Sequence, residues 1–310
     1  MENKKLSIVV PSREEKFLNN TVNDILTNAT GPIEVFVVLD GYEIPESEVI
    51  KDDRVKYIRI PDTVPYYLLP NSGRQMNKRI GVNLAVEQST GEFVMSVDAH
   101  CCFAKGFDEV LTRDCEDNMV MVPRRYKLDP IKWGINDKWP PVDYEYWMWP
   151  ALKIGHYFKN YTDNPRRRMV WDSKMIDETL TLQASCWIMK KDFYKKMGYM
   201  QCEGYTPWGM EGEELALKCW TGGGRLMINK NTWYAHLFKG KVYGRMYLAN
   251  DRQGKQTRIY AYDYWINKNM DKFEKVIERF MPLANWPADW KEQLKQEEGN
   301  VFQWSVSQWG

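Results

Sequence analysis

Phe93-Val94-Met95-Ser96-Val97-Asp98-Ala99-His100 is an apolar run of strand length that ends in a carboxylate and, two residues later, an imidazole. Far downstream Trp233-Tyr234-Ala235-His236 ends in a second histidine. Asp98, His100 and His236 are a candidate ligand set for one divalent metal. A carboxylate and two imidazoles at a strand's carboxyl end suit a borderline cation such as Mn2+ (or Mg2+), whose natural second partner is a diphosphate. The pattern points to a nucleotide-linked substrate.

Short apolar runs and helical patterns alternate around this stretch. Leu6-Ser7-Ile8-Val9-Val10 runs into Pro11-Ser12, and Ile33 to Leu39 runs into Asp40-Gly41, as buried parallel strands ending in functional loops do. Helical spacing from Asn20 to Thr27, followed by Gly31-Pro32, completes a βαβ unit. Val55 to Ile60 is predicted as a strand, Gln75 to Glu87 as a helix, Phe107 to Cys115 as a helix and Met119 to Val122 as a strand. From Arg124 to about Leu180 the chain is less regular and rich in aromatic and charged residues, as an insertion or lid would be. Regularity returns with strand Ala184 to Met189 and helices Lys191 to Met197 and Glu211 to Trp220. The Gly222-Gly223-Gly224 stop and strand Arg225 to Ile228 follow. The predicted class is α/β.

Composition narrows the function. The 310 residues, 44% hydrophobic, can bury a large core. Lys and Arg number 43 against 42 Asp and Glu, so no global field draws the molecule to nucleic acid or an anionic membrane. No stretch approaches a transmembrane span, and Met1 to Lys5 does not open a signal peptide, so a soluble, cytoplasmic protein is expected. Six cysteines without a CxxC pair are expected as reduced thiols.

The motifs taken together resemble a family. Pro11-Ser12-Arg13-Glu14, Asp40-Gly41, Thr90-Gly91-Glu92, Asp98-Ala99-His100 and Trp208-Gly209-Met210-Glu211-Gly212-Glu213-Glu214-Leu215 occur in the order found in GT-A nucleotide-sugar glycosyltransferases of the family 2 type. The resemblance is closer to polypeptide N-acetylgalactosaminyltransferases, which carry Asp-x-His, a Trp-Gly-Gly-Glu-Asn-x-Glu-Leu segment and a late metal-binding His. It runs from about Leu6 to Trp265. It implies a GT-A fold, a Rossmann-like mixed sheet with a nucleotide-binding half, an acceptor half and an aromatic-rich insertion. The expected catalytic domain is 1–240, divided into a nucleotide-sugar half (1–123), an insertion or lid (124–180) and an acceptor half (181–240). A flexible loop and helical tail (241–310) would pack on it.

Carried onto this chain, the resemblance implies that Asp98, His100 and His236 hold the metal against the diphosphate of a UDP-sugar donor, with Ala99 beside them. Pro11, Ser12, Arg13, Glu14 and Asp40 are expected at the nucleoside, and Trp208 and Gly209 at the donor sugar. Relatives have an Arg-Asn pair before the Asp-x-His strand. Here Asn83 fits but Val82 stands at the Arg position, so Arg79, one turn earlier, is the expected substitute at the diphosphate or sugar. Glu211 and Glu213 are the candidate catalytic carboxylates, Glu211 gripping donor hydroxyls and Glu213 a possible base, while Glu214 is expected to point into the fold and pair with a basic residue. Inverting relatives place their basic Asp at the position of Gly212, and retaining relatives have Asn there. Gly212 therefore leans toward retention, in which the departing phosphate takes the acceptor proton.

The plainer alternatives are a capping role for Asp98, a helix stop at Gly222 to Gly224, a surface His156, a solvated run at Arg166-Arg167-Arg168, and a hydrophobic cluster formed by Trp133, Trp139, Trp147 and Trp149. With no anchor, stem or room for a lectin domain, a small bacterial or viral enzyme is expected rather than a Golgi one. Its hydroxyl acceptor is a glycan, a protein Ser/Thr or a hydroxymethylated DNA base. The DNA option draws on Arg124-Arg125, the Arg166 run and the aromatics of the insertion. Two other functions share the nucleotide half, a sugar nucleotidyltransferase and a non-catalytic nucleotide-sugar-binding relative. Pro11-Ser12-Arg13-Glu14 lacks the glycine-rich signature of the first, and the second would be expected to have lost ligands.

Overall fold

The computed structural model describes residues 4–60, 77–149, 153–158, 173–205, 209–243 and 251–296, with backbone alone at 153–158, 240–241, 251–255 and 295–296. The first half alternates strand and helix as β1 (Leu6–Ser12), α1 (Leu18–Asn28), β2 (Ile33–Leu39), β3 (Val55–Arg59), α2 (Lys78–Gln88) and β4 (Phe93–Val97). β5 (Cys101–Phe103), α3 (Phe107–Asp114) and β6 (Met119–Asp129) follow. β1, β2 and β4 are wholly buried, which is why they read as unbroken apolar runs. α1 buries Leu18, Thr21, Val22 and Ile25, one face of a 3.6-residue repeat.

The segment expected to be irregular instead contains β7 (Gly134–Ile135), β8 (Val142–Met148), β9 (Lys153–Phe158) and β10 (Ile176–Glu178). β8 and β9 form an antiparallel hairpin attached to β6 through Arg125 and Val142. Its aromatics are largely core. Trp147 is fully buried and stacks on Phe273, while Trp149 meets Trp286 edge-on. Then come β11 (Cys186–Lys190), α4 (Lys191–Lys196), α5 (Glu211–Thr221), β12 (Arg225–His236), α6 (Gly240–Tyr243), α7 (Asp251–Tyr262), a π-helix (Asp263–Asn267), α8 (Met270–Phe280) and α9 (Trp290–Gln296). Gly223, at φ 75°, stops α5 as a glycine terminator does.

The sheet is mixed, in the order β10-β12-β6-β11-β4-β1-β2-β3. β4, β1, β2 and β3 are parallel neighbours, whereas β11 is antiparallel to both β4 and β6. The strand order turns back at β1, with β4 on one side and β2 and β3 on the other, and such a switch point is where an open α/β sheet forms a crevice outside the carboxyl ends of its strands. The six cysteines are unpaired, and among the described residues no helix is long and apolar enough to cross a membrane.

The amino edge of the parallel half is pinned by one buried carboxylate. Glu34 accepts from Ser7 Oγ (2.7 Å), the Thr90 backbone N–H (2.6 Å), Lys56 Nζ (2.8 Å) and Lys5 Nζ (3.2 Å). Burial opposes the charge, but these donors outweigh it and hold the carboxyl at about 2 against an ordinary 4.5. Because the folded value is depressed, the stabilisation is present above the unfolded value and is lost as pH falls from about 4.5 toward 2. Glu34→Gln is expected to cost about 1–2 kcal/mol at pH 7, a figure reduced for the half-exposed lysines. Urea midpoints of the two proteins should converge between pH 5 and about pH 2–3; a constant gap across that window would deny the ionic origin.

A second packing constraint lies at α5. A Cβ on Gly212 would stand 1.9 Å from the Leu182 carbonyl oxygen, a backbone atom that cannot turn aside. The absent side chain is therefore a close-approach requirement. Gly212→Asp is expected to lower stability by about 3 kcal/mol, read as a fall in thermal midpoint; an unchanged midpoint would show that the position is open.

Candidate active site

Three elements bring the ligand set together. Asp98 leaves β4 with its backbone N–H donating to the Ser185 carbonyl at 2.8 Å. His100 precedes β5, and β5 lies antiparallel on the end of β12 with Cys101 opposite His236. Leu237 N–H donates to the His100 carbonyl at 3.1 Å, so both imidazoles emerge side by side, ring centroids 4.9 Å apart. α1 fixes β5 from behind, Thr21 Oγ1 accepting from Cys101 N–H (3.0 Å) and Asp24 Oδ1 from Phe103 N–H (2.8 Å). Asp98 Oδ2 then faces His236 Nε2 at 3.3 Å and His100 Nε2 at 3.8 Å. One ligand atom from each residue lies within 4.8 Å of the others.

The electrostatics suit a cation. Burial works against the Asp98 charge, yet Lys78 and the two imidazoles outweigh it and hold the carboxyl well below the usual carboxylate range. Burial draws His236 down to about 4 despite the pull of Asp98, leaving a neutral ring with a lone pair to give. Among the described residues His236 Nδ1 is buried without a hydrogen-bond partner, and Nε2, 3.3 Å from Asp98 Oδ2, lacks a well-aligned one. An orphaned imidazole nitrogen beside an ionised carboxylate and a second imidazole fits a divalent metal, and one carboxylate with two imidazoles is a donor set that Mn2+ accepts. Glu15 Oε2 stands 3.4 Å from His100 Nδ1, which aims Nε2 at Asp98. Glu15 is itself paired to Lys239.

The wall next to the centre comes from the ends of β1 and β2 and the start of α2. Ser12 Oγ and Tyr42 OH are 2.5 Å apart. Asp40 accepts from the backbone N–H (2.6 Å) and Nδ2 (2.7 Å) of Asn77 and lies 3.4 Å from Arg13. Burial raises its carboxyl against those donors. Pro11 and Ala99 are buried, and Glu14, on a left-handed backbone (φ 49°), turns its side chain outward. Lys78, which sequence reasoning missed, reaches the centre. It is buried, with Nζ 2.7 Å from both Asp98 Oδ1 and the Ala184 carbonyl.

Two residues expected at the diphosphate or donor sugar are turned elsewhere. Arg79 is almost wholly buried, ion-paired to Glu214, and donates to the Gly209 carbonyl at 2.7 Å. Asn83 donates to the Met200 carbonyl (2.8 Å) and accepts from Tyr194 OH (2.6 Å), tying α2 to the segment after α4. Both side chains leave α2 on faces other than that of Lys78, Arg79 reaching the Gly209 carbonyl at the entry to α5 and Asn83 the segment after α4. Glu214 also pairs with Lys218, 2.7 Å away, so it points into the fold. Glu211 Oε1 accepts from Gly209 N–H at 2.8 Å, with Gly209 at φ 105° and Met210 at φ 60° forming the sharp entry to α5. Burial pushes Glu213 up to about 8, well above an ordinary carboxyl. Trp208 lies outside the described residues.

On the far side of His236, Phe238 is exposed, its ring 4.8 Å from the imidazole. Lys127 Nζ sits 3.3 Å above the exposed Trp139 ring and 5.9 Å from Phe238. The Arg124-Arg125 pair offered for nucleic acid is consumed in the fold. Arg124 forks onto Asp143 (2.6 and 2.7 Å), and buried Arg125 pairs with Glu145 at 2.6 Å. Arg166-Arg167-Arg168 lies outside the described residues, as does the side chain of His156.

Residues 7–197, more than half of the chain, match the family model Glycosyl transferase family 2. Over 238 residues the chain is 22% identical to the probable N-acetylgalactosaminyltransferase 8 of Caenorhabditis elegans, covering 69% of this chain and 50% of that protein. Over 261 residues it is 23% identical to polypeptide N-acetylgalactosaminyltransferase 11 of Xenopus tropicalis, covering 77% and 39%. The chain spans half or less of the length of these relatives. A crystal structure of GalNAc-T7 with UDP, GalNAc and Mn2+ superposes with a TM-score of 0.62 at 17% identity, over 99% of this chain and 56% of that one. S. aureus TarS gives 0.50 at 17% identity, over 89% and 43%. Sheet order, crevice and family model agree on a GT-A architecture, and the chain belongs to glycosyl transferase family 2.

Proposed function

We propose that this chain is a metal-dependent glycosyltransferase that moves a sugar from a UDP-sugar to a hydroxyl acceptor. The observation that carries it is the convergence of Asp98, His100 and His236 at the mouth of the crevice, with ligand atoms within 4.8 Å. The UDP, GalNAc and Mn2+ of the GalNAc-T7 crystal, a chain of the same fold, support the choice of donor and metal. Asp98, His100 and His236 would hold a cation that, when bound, neutralises the leaving diphosphate as a Lewis acid. Ser12, Arg13, Asp40 and Asn77 line the nucleoside side, and Glu211 presents its carboxylate toward the donor sugar.

The stereochemical reading is retention. Position 212 has no room for a basic carboxylate and burial raises the Glu213 carboxyl, which supports a route in which the acceptor proton passes to the departing diphosphate oxygen. For the acceptor, the exposed Phe238 and Trp139 with Lys127 between them offer a stacking surface for a sugar or an apolar peptide side chain. With Arg124 and Arg125 consumed, a glycan or protein hydroxyl is favoured over a modified DNA base.

Incubation with a panel of UDP-sugars and Mn2+ is expected to release UDP slowly, with the α-anomer of the sugar appearing first by proton NMR. A thermal shift should require UDP and Mn2+ together. His236→Ala is expected to weaken the Mn2+-dependent part of that shift at least about tenfold. No UDP release and no shift with the wild-type protein would sink the transferase reading, and first appearance of the β-anomer would sink retention.

A further inference from the structure

Lys78 is a buried cation where helix electrostatics disfavour one. It opens α2, whose aligned peptide dipoles leave positive potential at that end, and Arg79 places a second buried cation in the same turn. Arg79 is balanced away from the metal ligands, by Glu214. Lys78 is balanced by a ligand itself. Its Nζ lies 2.7 Å from Asp98 Oδ1 while Oδ2 faces the imidazoles at 3.3 and 3.8 Å. The Ala184 carbonyl, 2.7 Å from Nζ, fixes the ammonium from the other side. The carboxylate next to the set, Glu15, is likewise answered by Lys239. A dication set among Asp98 Oδ2 and the two Nε2 atoms therefore meets one anionic ligand whose charge is already answered on its other oxygen.

We propose that Lys78 makes metal and diphosphate binding conditional on each other. Its ammonium discounts Asp98 as an anionic ligand, so a dication is held firmly only when a nucleoside diphosphate brings the missing negative charge. The diphosphate in turn is drawn to the positive end of α2. The inference rests on the transferase reading above. It explains why a carboxylate ligand is shared with a lysine: a metal seat that fills with its substrate does not hold a dication, or a wrong one, between turnovers.

The test is a titration of the full chain with Mn2+, followed by the EPR signal of the free ion, with and without saturating UDP. Wild-type affinity for Mn2+ is expected to rise at least about tenfold with UDP. Lys78→Met is expected to bind Mn2+ alone about tenfold more tightly than wild type, with the gain from UDP cut to about threefold or less. Lys78→Arg keeps the charge and should keep the weak Mn2+-only binding. Mn2+-only affinity in a folded Lys78→Met that is equal to or weaker than wild type overturns the proposal. Should Lys78→Met fail to fold, Lys78→Gln takes its place under the same criterion. Independently of any variant, wild-type Mn2+ affinities with and without UDP that agree within about threefold overturn it too. UDP binding with no Mn2+ binding in either arm would instead overturn the metal-dependent transferase reading beneath it.

Discussion

The pairing of β5 with the last residues of β12 is the constraint on which the centre depends. Asp98 and His100 come from one loop, but His236 is far away in sequence and reaches them only because Cys101 sits opposite His236 in that ladder. Side chains alternate along a strand, so a one-residue slip would turn the His236 imidazole to the opposite face. The register is secured from three directions: Thr21 and Asp24 of α1 hold the β5 backbone, Leu237 N–H closes on His100, and β12 continues alongside β6. A three-residue strand thus sets the position of a ligand that no local sequence could place.

The start of α2 is organised by charge in an equally binding way. Two consecutive cations, Lys78 and Arg79, are buried there, each against a carboxylate from another element. Removing one partner of such a pair leaves an uncompensated charge and costs about 3–5 kcal/mol. The pairs therefore dictate where α2 begins and which face it turns to the crevice. Arg79 and Glu214 lock α2 to α5, and Lys78 and Asp98 lock it to β4. Side chains of opposite sign thus tie α2 to the sheet and α5 to α2, and the centre inherits their positions.

Much of this was legible in the sequence where burial is uniform. β2 and β4 coincide with the apolar runs, and the Asp98, His100 and His236 grouping follows from motif order. β6 extends beyond its apolar core because Arg124, Arg125 and Lys127 lie inside it, where ion pairs and ring contacts stand in for apolar packing. Periodicity gives the faces of α2 without saying which partner each face meets. Of Lys78, Arg79 and Asn83, Lys78 contacts Asp98, whereas Arg79 contacts Gly209 and Asn83 contacts Met200. Glu14 and Glu15 differ by a single backbone turn, a positive φ at Glu14 that sends one side chain outward and the other onto His100. Neither distinction has a local sequence signal, although two adjacent cations opening a helix were a violation worth following.

Gly212 connects these threads. Residues 182–185 meet α5 through the Leu182 carbonyl, hold Lys78 through the Ala184 carbonyl and hold Asp98 through the Ser185 carbonyl. Backbone carbonyls of one short stretch thus position the helix, the ammonium and the Asp98 carboxylate together. A carboxylate at 212 would push on Leu182 and, through the same backbone, on Asp98. The glycine and the geometry of the centre are therefore one requirement, and a carboxylate cannot be added at that position without disturbing the Leu182 backbone beside Lys78 and Asp98.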